Sequence, residues 1–339
     1  MITTGSIRGH PAVWLENEYL KISVLPEKGA DIYEFIYKPF GVDFLYKTNP
    51  GLQPPGSRPP KDIIENYEGG WQELFPNTGD SCQHQGKIIP THGEVAILPW
   101  DFAVIQDTPD ETEILFTVCT RILPFRVERR MKLKKGESVL VIEEQVTNLS
   151  DTSQDFVWGH HLVLGGTFLE NGCQYLAAAR TILVPDKPKE SRFARLAAGQ
   201  RQPWPWALAR SSGAPIDLRI IPGPDIRSHD DIFLTDLELG EAAITNPRLG
   251  LVFTLNWDAN TFGCLVMWQP FGGLDMPPWA GSYGVGMEPW TTCSNLEGAT
   301  KTGKSHRLGP KEFLSTILYA SVSVSNQVIS SDHSIPENP

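Results

Sequence analysis

Cysteine is scarce in this 339-residue chain, and the five that occur, Cys82, Cys119, Cys173, Cys264 and Cys293, stand far apart. An odd count without close spacing is not the framework of a disulfide-stapled secreted domain, and no C-x-x-C pair offers the ligand spacing of a zinc site. Free thiols in a reducing, cytoplasmic compartment are expected. Long apolar runs are also missing: no segment approaches the about 18 residues that a membrane-spanning helix needs. The opening MITTGSIRGH has neither the basic start nor the apolar stretch of a signal peptide. Positive charge is in deficit, with 29 Lys and Arg against 40 Asp and Glu and a formal net charge of −11. That balance repels nucleic-acid phosphates and anionic membranes. The expected partner is a small neutral or mildly polar molecule, with no nucleic acid and no membrane, and the expected state is a monomer or homodimer. Neither a G-x-S-x-G elbow nor a P-loop occurs, so the usual signals of serine hydrolases and nucleotide chemistry are absent.

What the chain has in quantity is punctuation: 30 glycines and 28 prolines divide it into short segments. Between them runs a period-two pattern. In YLKISVLP, Leu20, Ile22 and Val24 alternate with polar partners; in FRVERRMKL, Val127, Met131 and Leu133 share one face while Arg126, Glu128, Arg130 and Lys132 share the other. ADIYEFIYKP, TEILFTVCT, SVLVIEEQVTN, DFVWGHHLVL, DIFLTDLEL, LGLVFTLNW, GCLVMWQP, SYGVGMEPW and FLSTILYASVSV add further β-rich stretches, with turn residues every eight to fifteen positions. Such repetition predicts an all-β fold, a large antiparallel sandwich or barrel. RFARLAAGQ predicts at most a turn or two of helix. No internal repeat and no domain boundary is evident, so residues 1–339 read as a single β-sandwich domain, with a proline-rich loop near 49–62 and a loose polar tail from about 323.

Four short stretches hold polar residues that a packed core would not select: GGWQELFPN (69–77), THGEV (91–95), WGHHLVLGG (158–166) and GVGMEPW (284–290). Each sets a titratable group beside glycine, proline or tryptophan. Adjacent side chains on a strand point to opposite faces, so His160 and His161 serve different surroundings. One is a satisfied core histidine, its ring bonded to a backbone carbonyl; the other is free to exchange protons near neutral pH. Glu288, in an apolar strand end, is costly to bury without a partner or a pocket; burial would raise its pKa and suit it to act as a general base. Taken alone it reads as a surface glutamate beside Pro289, and the three companion stretches are what shift that reading. Arg129 interrupts the apolar face of its strand. It either reaches a pocket as a cation or pairs with a structural carboxylate such as Glu143 or Glu144. His92, the histidine pair and Glu288 are suitable metal ligands by type, yet none shows the short spacing of known zinc motifs.

In their order along the chain these stretches resemble the aldose 1-epimerase (galactose mutarotase) family, in a poorly characterised bacterial branch. YLKISVLPEKGADIYEFIYKPFG is similar to its first strands, FPN followed by THG to the stretch leading to its histidine–glycine pair, EEQVTNLSDTSQDFVWGHHLVLGG to the strand ending in its acid histidine, and GVGMEPW to the strand carrying its base glutamate. The likeness spans roughly residues 12 to 322. It implies a galactose mutarotase-like supersandwich, His161 and not His160 as the acid, Glu288 as the base and His92 as a group holding the ring oxygen or a neighbouring hydroxyl. The family's sugar-contacting aspartate, in a D-x-x-F context, best matches Asp230, with Asp231 a near-equal choice. Many members carry an arginine shortly after the FPN-like segment. NTGDSCQHQGK has none, so sugar binding must differ, through Asn77, Gln83 or Lys87. Trp71, Trp268 and Trp279 are candidates to line the pocket and stack on the sugar.

The implied reaction interconverts the α and β anomers of a sugar by acid–base ring opening, with no metal or organic cofactor. The expected geometry is an imidazole and a carboxylate facing each other across a cleft, a sugar ring's width apart. Two other readings stand beside it: a carbohydrate-binding protein that kept the fold without the catalysis, to which the missing arginine lends weight, and another carbohydrate enzyme, a lyase or hydrolase, on the same sandwich.

Overall fold

The computed structural model describes residues 1–56, 60–187 and 192–325. Among the described residues strand pairing is antiparallel, in one sheet of 19 strands with three two-stranded sheets beside it. The order of hydrogen-bonded neighbours positions the site. From Leu20–Leu25 the sheet passes to Asp31–Tyr37, Trp71–Leu74, Gly159–Leu164, Glu288–Trp290, Cys264–Phe271 and Ser228–Asn246. It continues through Leu251–Trp257, Phe313–Val324, Val139–Asn148, Phe125–Lys134, Glu111–Cys119 and Asp101–Asp107. Twist rolls so long a sheet back on itself. Phe35 on one layer meets Phe253 on the other at 5.3 Å between ring centroids. The far strands approach as well: the N–H of Ile2, on the Ile2–Ile7 strand, donates to Asp107 Oδ1 at 3.1 Å.

The alternation read from the sequence becomes the core. Val127, Met131 and Leu133 are buried, as are Leu140, Ile142 and Val146 on the next strand, where Val141, Glu143 and Gln145 face outward. Arg129 falls on the buried face and is fully enclosed. It donates to the carbonyl of Ala30 and stands 3.6 Å from Glu73, with its guanidinium over Trp100 and Phe116. Of the two partners considered from sequence, Glu143 faces outward to Lys132, while Glu144 joins the buried network.

Several expectations are corrected. RFARLAAGQ, expected to make at most a turn or two, has turns and no helix, with Leu196 in a single bridge to Ala209. The α-helix among the described residues is Leu296–Lys301, where Asn295 caps the first turn by accepting from the Gly298 N–H. The Phe313–Val324 strand runs through Ser323 to Val324, and most of the tail expected from about 323, residues 326–339, lies outside those described. Five free thiols become three, since Cys264 and Cys293 form a disulfide with their Cα atoms 5.9 Å apart. The proline-rich loop is irregular where described, with 57–59 outside the described residues. It leads to Asp62, whose side chain caps the short turn Ile63–Asn66. Among the described residues no helix is long and apolar enough to cross a membrane.

Candidate functional site

A cavity of about 180 Å³ lies on one face of neighbouring strands of the sheet. That is below the roughly 300–1,000 Å³ of drug-sized ligand pockets and suits one small ring better than a chain of them. Strand periodicity selects the lining. Along Ser228–Asn246, His229 and Asp231 point into the cavity, and along Cys264–Phe271 so do Val266 and Trp268. Val266 pairs in register with Glu288, and Trp268 with Asp231. Gly159–Leu164 contributes His161, and Glu288–Trp290 contributes both its end residues. Loops complete the wall with Ile63, Ile64, Tyr67, His92, Leu274 and Trp279.

His161 Nε2 and Glu288 Oε1 are 3.8 Å apart. The expected separation of a sugar ring's width is therefore corrected: acid and base candidates stand side by side on one wall. Glu288 is 2 % exposed, while His161 is half-buried at the cavity. The Tyr67 hydroxyl lies 3.5 Å from His161 Nδ1. Burial pushes the Tyr67 phenol well above its ordinary pKa, so it keeps its proton. Trp268 packs near the same imidazole, with ring centroids 5.9 Å apart.

His92 is presented by strained backbone. It has φ 59° and the following Gly93 φ 79°, and a Cβ on Gly93 would overlap the Phe75 carbonyl. The Gly79 N–H lies 3.1 Å from His92 Nδ1. A backbone amide only donates, so Nδ1 accepts and the ring proton sits on Nε2. His92 is thereby a neutral donor whose ring lies 5.4 Å from that of His161.

His160 points the other way, into the core. Its Nδ1 accepts from Trp71 Nε1 at 3.1 Å, and its Nε2 stands 3.1 Å from Glu144. Burial holds its pKa down at about 4, so it is the neutral core histidine, bonded to a carboxyl and an indole in place of the expected backbone carbonyl. Trp71 goes with it and does not line the cavity. Arg129 is likewise in the core. Asn77 is a loop organiser: its amide donates to the carbonyls of Asp80 and Pro90, and its oxygen accepts from the Leu296 N–H. Gln83 is exposed, and Lys87 donates to the Ile122 carbonyl; neither is among the lining residues.

Of the two aspartates, Asp231 lines the cavity. Asp230 faces away and accepts from the N–H groups of Arg195 and Leu196, with the Arg195 guanidinium 3.5 Å off. Sequence reasoning missed His229, Tyr67 and Trp290. Parity could have found the first, since His229, Asp231 and Phe233 share one side of their strand. Tyr67 belongs to a loop and carries no periodic signal. Among the described residues no group of three or more His, Cys, Asp or Glu is placed to hold a metal ion.

A family model described as a domain of unknown function (DUF4432) matches residues 7–202. The curated proteins yield no match. Solved structures agree on the fold. A protein from Synechocystis sp. PCC 6803 has a TM-score of 0.68 at 19% identity, covering 95% of this chain and 99% of that one. A galactose mutarotase-like protein from Clostridium acetobutylicum has 0.64 at 16%, covering 96% and 98%. A galactose mutarotase related enzyme from Lactobacillus acidophilus has 0.61 at 17%, covering 94% and 99%. The architecture is thus a galactose mutarotase-like β-sandwich.

Proposed function

The chain belongs to the DUF4432 family, and from that premise we propose that it is an aldose 1-epimerase-like isomerase acting on a monosaccharide. One observation carries the reading: an imidazole and a carboxyl, His161 and Glu288, 3.8 Å apart on the wall of a small aromatic cavity. The reaction needs a proton taken from the C1 hydroxyl and a proton given to the ring oxygen. Those two oxygens are bonded to the same carbon, so a base and an acid standing side by side can reach both. Glu288 takes the hydroxyl proton and the C1=O double bond forms. The bond from C1 to the ring oxygen breaks, and His161 protonates that oxygen. Rotation about C1–C2 and reversal of the same transfers close the ring with the other anomer. His92, as an Nε2–H donor, holds the ring oxygen or its neighbour, and Asp231 accepts from a hydroxyl. Each proton-transfer partner contributes about a hundredfold or more in rate.

The test is anomer exchange followed by NMR on glucose, galactose and related sugars. Acceleration by the native chain that falls at least about a hundredfold in both His161→Ala and Glu288→Gln supports the assignment. One observation favours the second reading, a sugar-binding protein without catalysis: no Lys or Arg is among the described residues lining the cavity. Saturable binding without acceleration on any sugar of the panel would replace the first reading with the second.

A further inference from the structure

Lys28, Asp31, Glu68 and Gln72 form a polar cluster that takes no part in the proton transfers. Asp31, Glu68 and Gln72 are buried, and Lys28 is mostly enclosed. The Lys28 Nζ lies 2.5 Å from Glu68 Oε2 and 3.2 Å from Asp31 Oδ2. The Gln72 amide donates to Asp31 Oδ2 at 3.3 Å and to the Gly69 carbonyl at 2.7 Å. Glu68 is therefore held by its side chain, and the residue after it by its carbonyl. The Thr48 N–H donates to the Glu68 carbonyl and the Gly70 N–H to that of Tyr46, so the main chain is pinned as well. Two carboxyls and one ammonium are costly to take out of water, and apolar residues of similar volume are often at least as stable. What the polar cluster does achieve is to hold one segment in one place.

That segment carries Tyr67. It directly precedes Glu68 in extended backbone, φ −69° and ψ 120°, so the two side chains leave the chain on opposite sides. Glu68 turns to Lys28, and Tyr67 joins the cavity wall. There its hydroxyl lies 3.5 Å from His161 Nδ1, and the two rings meet edge to face at 5.2 Å between centroids. Gln72 is the register partner of His161 on the neighbouring strand, and directly opposed residues of an antiparallel pair share a face. The cluster thus ties the Tyr67 segment to the strand position beside His161. A phenol both donates and accepts, so a hydroxyl fixed at Nδ1 serves the imidazole before and after it gives up a proton.

We propose that Glu68 is a positioning residue of the site: held by Lys28, it seats the Tyr67 hydroxyl against His161 and so fixes the orientation of the imidazole. The proposal rests on the reading of His161 as the acid of an anomer exchange. Kinetics and nitrogen NMR of four variants test it. Tyr67→Phe keeps the ring, removes the hydroxyl and should lower kcat about tenfold. Glu68→Gln should lower it by a similar factor. In the double variant Tyr67→Phe/Glu68→Gln, kcat should lie within about threefold of Tyr67→Phe alone, because Glu68 acts through a hydroxyl that is already gone. A purely structural Glu68 would instead give losses that multiply. The His161 Nδ1 resonance should move in Tyr67→Phe and in Glu68→Gln, and Glu68→Gln should move it no further once the hydroxyl is absent. If Glu68→Gln does not fold, Gln72→Met, which releases Gly69, carries the same expectations. Multiplying losses, a native kcat in either single variant, or a His161 resonance shifted by Tyr67→Phe and left in place by Glu68→Gln would overturn the proposal. If the native chain accelerates no anomer exchange, the epimerase reading fails and the resonance decides the seating of Tyr67: a shift shared by Tyr67→Phe and Glu68→Gln upholds it, and an unmoved resonance ends it.

Discussion

Gly286 leaves the room that the Glu288 carboxyl occupies: a methyl group at Gly286 would overlap Glu288 Oε1 and press to 3.0 Å on the Trp268 backbone nitrogen. The second glycine of GVGMEPW thus serves the carboxyl first. Gly286→Ala is expected to displace the Glu288 side chain, whose far end can move, more than the strand. Misplacement of a reacting group by about 1 Å can cost on the order of a hundredfold in rate. The expected outcome is anomer exchange slowed about ten- to a hundredfold with a thermal midpoint shifted by only a few degrees. If the proposed anomer exchange proceeds at the native rate in Gly286→Ala, the position of Glu288 is not what the glycine protects.

The adjacent histidines should respond oppositely. His161→Ala removes a half-buried ring at a cavity and should cost roughly 1 kcal/mol or less of stability while abolishing most activity. His160→Ala strips partners from Trp71 Nε1 and Glu144 inside the core and empties the space of the ring. Its cost should be about 3 kcal/mol, the sum of a buried unsatisfied group and a cavity. Urea unfolding of the two variants checks both figures, and similar losses from the two would contradict the assignment of faces.

The sandwich was legible because one face of each strand is buried and the other is not, as in Phe125–Lys134 and Val139–Asn148. Where both faces are buried, that signal disappears. Trp71–Leu74 is enclosed throughout, and nothing in GGWQELF told that Trp71 and Glu73 turn to the core. Asp230 was preferred to Asp231 on motif spacing; parity with Phe233, whose ring packs near Trp290, favours Asp231. His161 and Glu288 were legible as a pair from chemistry and family order, but their separation was not, because register between strands 127 residues apart is set by the whole sheet. Tyr67 and Trp279 enter from loops, where sequence carries no period at all.

The disulfide bears on the same wall. Cys264 pairs in register with Trp290, and Cys293 follows that tryptophan by three residues, so the bond ties the end of the Glu288 strand to its neighbour. Thiol titration of the unfolded chain, purified without reductant, should find three free groups, rising to five after reduction. A closed segment of 29 residues corresponds to roughly 3.5 kcal/mol of stabilisation, so Cys264→Ser should lower the thermal midpoint by several degrees. Five titratable thiols before reduction would remove the bond and this effect together.

Beneath the cavity, two buried carboxyls share one buried cation. Glu73 and Glu144 lie near Arg129, with His160 and Trp158 bonded to them. One guanidinium balances one carboxylate, so the other carboxyl is best accommodated protonated. Desolvation pushes Glu73 up to about 8 and Glu144 up to about 7, and for Glu73 the neighbouring Glu144 adds to it. Folded pKa values above the unfolded ones mean that the folded state binds more protons. The contribution of the protonated carboxyl is complete below the ordinary glutamate value and is lost as pH rises through the raised folded value, about 7 to 8. His160 works in the opposite sense: its folded pKa, about 4, lies below the unfolded one, so its contribution is present above the ordinary histidine value and is lost as pH falls through 4. Between about pH 6.5 and 8 the histidine contribution is already complete, and the carboxyls determine the slope. Stability should therefore decline there, by at most about 1.4 kcal/mol per pH unit for each proton released. Glu73→Gln mimics the protonated acid and cannot ionise. Its unfolding free energy should match native below the ordinary glutamate value, about pH 4.5, and exceed it increasingly as pH rises from there to about 8, flattening the decline. A native chain whose urea midpoint holds level or rises across this interval, or a Glu73→Gln curve parallel to it, would mean that both carboxyls are ionised in the core and that Arg129 does not divide its charge as described.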